Sequence, residues 1–257
     1  KAWMGGRRER GSFEGTSVAE IKIAVLGPGA IGGFLSALFW REGYEVLCID
    51  KKENLVLLEA KGLQVESKFF GNFTARPRFR GRLDIEPDIL FVTTKAVFLE
   101  EAVGSLDETL LKKSIVVPLL NGLEHIDFLK KLYGDVLVAG TIGNIESFSP
   151  EVGKIIHVSK RSPCVTLHKT DKIDIADKAL KAVGIEVEVL ENEKQVIWQK
   201  LSRLSALATL TAASGENLGY VRSNQEWRKT LENFLREAAS VAVADGAEIK
   251  ADEVLVQ

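Results

Sequence analysis

The sequence predicts an α/β fold: a doubly wound parallel sheet over about residues 21–190, followed by an all-helical segment over 191–257. Three observations carry this. Short apolar runs bounded by turn residues, such as Ile89–Thr93 and Ser114–Leu120, have the pattern of strands buried on both faces. Helical patterns alternate with them, which sets the strands parallel. From Asn192 to Ala244 the pattern is almost wholly helical, with breaks near Ser214-Gly215 and Gly219.

The first strand, Ile23-Ala24-Val25-Leu26, runs into Gly27-Pro28-Gly29-Ala30-Ile31-Gly32, a G-x-G-x-x-G turn that opens a helix at about Ala30. In that layout the first glycine turns the chain tightly. The second leaves room for a pyrophosphate, and the third lets the helix pack close to the strand. The helix N-terminus then offers free N–H groups to phosphate. Glycine also serves any tight turn. The position between strand and helix favours dinucleotide binding, as does a second strand, Tyr44–Asp50, that ends in an acidic residue at suitable distance.

The next elements follow the same logic. Asn54–Lys61 reads as a helix stopped by Gly62, and Leu63–Arg80 alternates loosely, as strands do. Buried strands at Ile89–Thr93 and Ser114–Leu120 flank a helix over Phe98–Leu106. A helix over Ile126–Tyr133 leads to a strand at Val136–Gly140. Lys154–Val158 and Cys164–His168 read as paired strands, Asp174–Val183 as a helix and Glu186–Leu190 as a closing strand. The domain boundary falls at Leu190–Glu191. Residues 1–20 lack the apolar core of a signal peptide and read as a flexible leader.

The 257 residues are 46% hydrophobic and 27% charged, with a net charge of −2, which gives no general attraction to nucleic acid or acidic membranes. No apolar run is long enough to span a bilayer. Cys48 and Cys164 lie in separate apolar runs and read as buried free thiols in a reducing, cytoplasmic compartment. His125, His157 and His168 are scattered, so no metal site is expected and no histidine is assigned to nucleophilic chemistry.

In an open parallel sheet, ligands sit at the carboxyl ends of the strands. Thr94-Lys95 and Asn121-Gly122 occupy two such ends. Lys95 suits a cofactor phosphate or a substrate carboxylate, and Asn121 suits the cofactor's ribose or amide. Lys200 shares a helix face with Leu204, Leu207 and Ala208. A lysine ending an apolar stripe usually reaches out to water. If this face closes over the crevice instead, partial desolvation lowers the lysine pKa and suits a general acid.

These segments, in this order, resemble the ketopantoate reductase (2-dehydropantoate 2-reductase) family. The resemblance rests on Gly27-Pro28-Gly29-Ala30-Ile31-Gly32-Gly33, Val92-Thr93-Thr94-Lys95-Ala96, Asn121-Gly122-Leu123 and Trp198-Gln199-Lys200-Leu201, with Leu210-Thr211-Ala212 behind them. It runs from about Ile21 to Gln257. It implies a Rossmann-type domain followed by a helical substrate and dimerisation domain. The implied activity is NADPH-dependent reduction of 2-dehydropantoate to pantoate, or of a related 2-keto acid, in pantothenate and coenzyme A biosynthesis. Lys200 matches the family's proton-donating lysine, which also faces substrate. Lys95 and Asn121 match its cofactor-side lysine and asparagine, Lys95 reaching substrate as well.

Some positions depart from the family pattern. Leu204 and Ala208 stand where the family places substrate-binding asparagines, and Thr209 where a proline is usual. A further substrate asparagine is matched by Asn217 only with a one-residue shift. The family's substrate serine and a late glutamate fall beyond Gln257, so the helical domain reads as incomplete there. Asp50 suits the ribose hydroxyls of NADH and repels a 2′-phosphate, whereas Lys51 and Lys52 suit that phosphate. The resemblance favours NADPH and leaves NADH open.

Two other readings stand beside the reductase: a dinucleotide-binding sensor that has lost catalysis, and a related dehydrogenase acting on a different 2-hydroxy acid or polyol phosphate. The helix faces carrying Ile197, Leu201 and Leu204 and carrying Leu231, Phe234 and Leu235 need partners, from which a homodimer is expected.

Overall fold

The computed structural model describes residues 21–250; the leader expected over 1–20 lies outside the described residues, as do 251–257. In chain order, β1 (Lys22–Leu26), α1 (Gly32–Glu42), β2 (Glu45–Ile49) and α2 (Lys52–Lys61) precede β3 (Leu63–Ser67), β4 (Phe73–Ala75) and β5 (Arg78–Arg80). Then come β6 (Ile89–Val92), α3 (Leu99–Val103), β7 (Ile115–Pro118), α4 (Glu124–Tyr133), β8 (Gly140–Gly143), β9 (Ser147–Phe148), β10 (Lys154–His157) and β11 (Cys164–His168). The chain continues through α5 (Asp174–Ala182), β12 (Glu186–Leu190), α6 (Glu193–Ser214), α7 (Leu218–Ser223) and α8 (Gln225–Ala244).

The five-stranded sheet has the order β5-β2-β1-β6-β7 and is parallel throughout. Its strands are continuously apolar because both faces are covered. Ile23, Val25, Cys48, Ile89 and Phe91 pack on one side with Phe34, Leu35 and Leu38 of α1. Ala24, Leu26, Leu47, Ile49, Leu90 and Val92 pack on the other with Ile126 and Leu129 of α4. The chain builds outward from β1 to β2 and β5, then returns to β6 on the other side. That reversal opens a crevice at the carboxyl ends of β1 and β6, where ligands bind in such sheets.

Two smaller sheets adjoin it, with orders β4-β3-β10-β9 and β12-β11-β8. The expected pairing of Lys154–Val158 with Cys164–His168 is therefore corrected. β10 pairs parallel with β3 and antiparallel with β9, while β11 lies between β12 and β8. Nearness in sequence suggested the pairing, but residues 158–163 carry the chain from one sheet into the other. The strand expected at Val136–Gly140 is also shifted. Gly134–Val136 forms a 3-10 turn, Leu137 makes a single bridge to Val116, and β8 begins at Gly140.

Helix ends follow local chemistry. α1 opens at Gly32, two residues later than expected, because Gly29 N–H bonds Gly27 O at 2.8 Å and completes the turn first. Asn192 caps α6 by accepting the Gln195 N–H, and Gly215, with φ +68, ends it. The second break falls at Asn224, which caps α8; Gly219 lies inside α7. α3 is shorter than expected because Gly104 follows it. Cys48 is buried and its thiol is pushed up to about 12, but Cys164 is only half-buried.

The apolar faces of α6 and α8 largely meet each other. Trp198, Ala206, Leu235, Ala239 and Ala242 form one cluster, with Leu201, Leu231 and Phe234 against it. Among the described residues, no helix is long and apolar enough to cross a membrane.

Candidate functional site

The site is built around the turn after β1. Gly27 has φ +86, and a Cβ there would meet Thr94 Cγ2 at 2.8 Å. Its N–H bonds Ile49 O at 3.0 Å, which fixes the turn against the end of β2. A Cβ on Gly32 would collide with Thr93 Oγ1 and the Gly27 carbonyl, so only glycine lets α1 approach β6 this closely. Thr93 Oγ1 lies 3.0 Å from Leu26 O and 2.9 Å from Gly27 O, donating to the turn from the neighbouring strand. Gly29 is exposed, with nothing within 4 Å of its Cβ position. Pro28 is buried behind it, and Ala30 and Ile31 are half-buried at the entry to α1.

This arrangement fits a dinucleotide. Open space faces Gly29, and α1 begins with no side-chain cap, its Gly33 N–H bonding Gly29 O at 2.8 Å, so an anion at the turn meets the N-terminal end of the helix. Thr94 Oγ1 is buried beside Gly27 without a hydrogen-bond partner in the protein, a cost that a ligand contact relieves. At the end of β2, Asp50 is half-buried and Lys51 exposed. Lys95 is exposed at the end of β6 and begins a 3-10 turn in which its carbonyl takes the Phe98 N–H at 2.9 Å.

The structure brings Asn121 and Lys200 together. Asn121 lies just past β7, with Gly122 in the left-handed region at φ +103. Lys200 lies two turns into α6, whose first turns are anchored by buried Val196, Ile197 and Trp198. Lys200 Nζ donates to Asn121 Oδ1 at 2.6 Å across 79 positions of sequence. Burial lowers the Lys200 pKa below the ordinary lysine value. A cation with a softened hold on its proton, fixed by a neutral amide, is equipped to donate to a developing alkoxide.

Asn217 is placed differently. It caps α7, its side chain accepting the Tyr220 N–H at 3.1 Å, and it does not join the Lys200–Asn121 pair. Leu204 is half-buried, and Leu207 and Ala208 are exposed, so the helix beyond Lys200 presents an apolar surface. Among the described residues, no group of three His, Cys, Asp or Glu side chains is placed to hold a metal ion.

Three further residues of this region were given no role of their own from the sequence. Thr93 ties β6 to the glycine turn. Gln199 has a buried Oε1 without a partner. His125, at the start of α4, is 5% exposed with an unpartnered Nε2, and its pKa falls to about 4 through burial and then the Lys200 charge. Only its place four residues after Asn121, in the same crossover, hinted that it would lie near the pair.

Comparison with known proteins bears on this geometry. Residues 23–166 match the family model for ketopantoate reductase PanE/ApbA, and residues 192–257 match the model for the C-terminal part of that family. YkpB of Bacillus subtilis, an uncharacterised oxidoreductase, is 24% identical over 240 residues, spanning 91% of this chain and 78% of the relative. A 2-dehydropantoate 2-reductase of Pyrococcus horikoshii is 23% identical over 244 residues, spanning 92% and 79%. The crystal structure of 2-dehydropantoate 2-reductase from Porphyromonas gingivalis superposes with a TM-score of 0.81 at 24% identity, covering 92% of this chain and 87% of that one. D-mandelate dehydrogenase bound to NADH and anilino(oxo)acetate has the same fold, with a TM-score of 0.81 at 23% identity and coverage of 92% and 78%. The chain belongs to the ketopantoate reductase family, whose members are nicotinamide-dependent oxidoreductases acting on CH–OH groups.

Proposed function

We propose that this chain reduces a 2-keto acid to the 2-hydroxy acid, with 2-dehydropantoate as the first substrate to test and pantoate, a precursor for pantothenate and coenzyme A, as its product. The observation that carries the reading is the 2.6 Å contact between Lys200 Nζ and Asn121 Oδ1 at the carboxyl end of the sheet. A nicotinamide dinucleotide bound over the glycine turn supplies a hydride to the carbonyl carbon. The turn from Gly27 to Gly32 takes the pyrophosphate. Lys200 gives its proton to the carbonyl oxygen as negative charge develops there, and Asn121 holds the ammonium in place. Lys95, exposed at the end of β6, supplies a positive charge for the substrate carboxylate or a cofactor phosphate.

The test is oxidation of NADH and of NADPH on addition of 2-dehydropantoate to the purified protein, followed by absorbance. Saturable turnover supports the reading. In Lys200→Ala we expect kcat to fall about 10²–10⁴-fold, the usual size of a lost general acid, with dinucleotide binding kept. Unchanged turnover overturns the role given to Lys200. Dinucleotide binding without turnover of any keto acid points to the sensor instead.

A second reading concerns the substrate's side chain. Leu204, Leu207 and Ala208 follow Lys200 on α6 without amide groups, and Leu207 is 37% exposed. Such a surface suits a 2-keto acid with an apolar side chain over one that carries a hydroxyl. A higher kcat/KM for 2-ketoisocaproate or phenylglyoxylate than for 2-dehydropantoate supports it, and the reverse order counts against it.

A further inference from the structure

The carboxyl edge of β2 holds two charges in fixed company. Asp50 Oδ1 accepts the Lys51 backbone N–H at 2.8 Å, and Oδ2 accepts Asn54 Nδ2 at 3.0 Å. The carboxylate is thereby oriented before any ligand arrives. Lys51 is engaged from across the crevice: its Nζ lies 3.1 Å from Glu101 Oε2 and 4.8 Å from the Phe98 ring centroid. Phe98 and Glu101 belong to the segment after β6, so this contact joins the two strands that flank β1. The neighbouring cations are occupied too. Arg80 Nε lies 3.3 Å from Asp84, and Arg78 contacts both Glu45 and Asp84. Lys52, its stem lying along Gly81, and Arg82, exposed just past β5, are further cations near this edge.

A ribose diol and a ribose 2′-phosphate make opposite demands here. The diol needs an acceptor that is already placed, which a fixed carboxylate provides. The phosphate needs cations that are not already paired, and the carboxylate repels it. We infer that this edge selects NADH over NADPH, with Asn54 orienting Asp50 and Glu101 drawing Lys51 away from a 2′-phosphate. The inference rests on the glycine turn as a dinucleotide site, and it runs against the NADPH preference implied by family resemblance. Lys51 and Glu101 are side chains 49% and 68% exposed, so their pairing is a modest device that one substitution can undo.

The test is the pair of dissociation constants for NADH and NADPH, read by nicotinamide fluorescence on the purified chain without substrate. NADH should bind at least about tenfold more tightly. In Glu101→Gln, NADPH should tighten by about two- to fivefold, the size of an exposed ion pair, with NADH little changed. In Asn54→Ala, NADH should weaken and NADPH should not. Equal or tighter binding of NADPH to the unaltered chain overturns the inference while leaving the dinucleotide reading intact. So does an unchanged ratio in both variants. Binding of neither cofactor overturns both.

Discussion

Lys200 is useful because it is poorly hydrated. Burial disfavours the ammonium, so its proton is released more readily than from a surface lysine. A general acid works while it holds its proton, so kcat should fall as pH rises, with an alkaline midpoint below the ordinary lysine value of 10.5. In Lys200→Arg that limb should vanish from the accessible range, because a guanidinium does not deprotonate there. A pH–rate profile of both proteins checks this. His125 makes the opposite contribution, to stability. Its folded-state pKa is about 4 against an ordinary 6.5. Between those values the unfolded chain takes up a proton that the folded chain refuses, so acid favours unfolding. The effect is absent above about pH 6.5, grows as pH falls and levels off below about 4, reaching about 3 kcal/mol. His125→Gln should therefore lose less stability than the parent between pH 7 and 4.5 in urea titrations. His157, whose pKa is also lowered by burial, keeps some acid sensitivity in the variant.

The turn from β1 to α1 shows how glycines with one pattern differ in task. At Gly32 an added methyl collides with Thr93 Oγ1 and the Gly27 carbonyl, while at Gly29 it meets nothing within 4 Å. Gly32→Ala should cost about 1–3 kcal/mol of stability, the usual price of overpacking. Gly29→Ala should melt within a degree or two of the parent yet bind NADH and NADPH much more weakly, because the methyl fills the space proposed for the pyrophosphate. Calorimetric melts with cofactor titrations separate the two. The turn was legible because its glycine spacing reflects backbone geometry, which local sequence controls. So were β1, β2, β6 and β7, whose unbroken apolar runs record burial on both faces. The pairing of β10 with β3 was not legible. It spans about ninety residues, and strands of four and five residues carry too little pattern to name a distant partner. The same limit applies to the candidate site. Lys200 and Asn121 each stood out by residue type, but their 2.6 Å contact is a product of tertiary packing. His125 and Gln199 show their buried, unpartnered atoms only once α4 and α6 are in place.

At the scale of the whole molecule, α6 joins the sheet to the helices and carries Lys200 at the join. Its first turns belong to the sheet's core, where Val196 and Ile197 pack with Val116, Leu120 and Ile126. The next residue, Trp198, belongs to the helical cluster with Leu235 and Ala239, and its Nε1 donates to Asp245 Oδ2 at 2.8 Å. Asn192 Nδ2 adds a bond to Gly246 O at 3.0 Å, so the start of α6 is also tied to the end of α8. The position of Nζ relative to Asn121 thus depends on packing on both sides of one helix. Ile197→Ala opens a cavity on the sheet side, where the residue is 3% exposed, and should cost about 2–5 kcal/mol. Ile197 is not among the residues proposed to hold the cofactor, so cofactor affinity should change little. A small shift of α6 is enough to misplace the proton donor, and kcat should fall about tenfold or more. Conservative Ile197→Val should recover most of both quantities, because it leaves a much smaller void. If Ile197→Ala lowered stability but left kcat intact, the sheet-side packing would have no part in positioning Lys200. The helical cluster around Trp198 and Asp245 would then hold that position by itself.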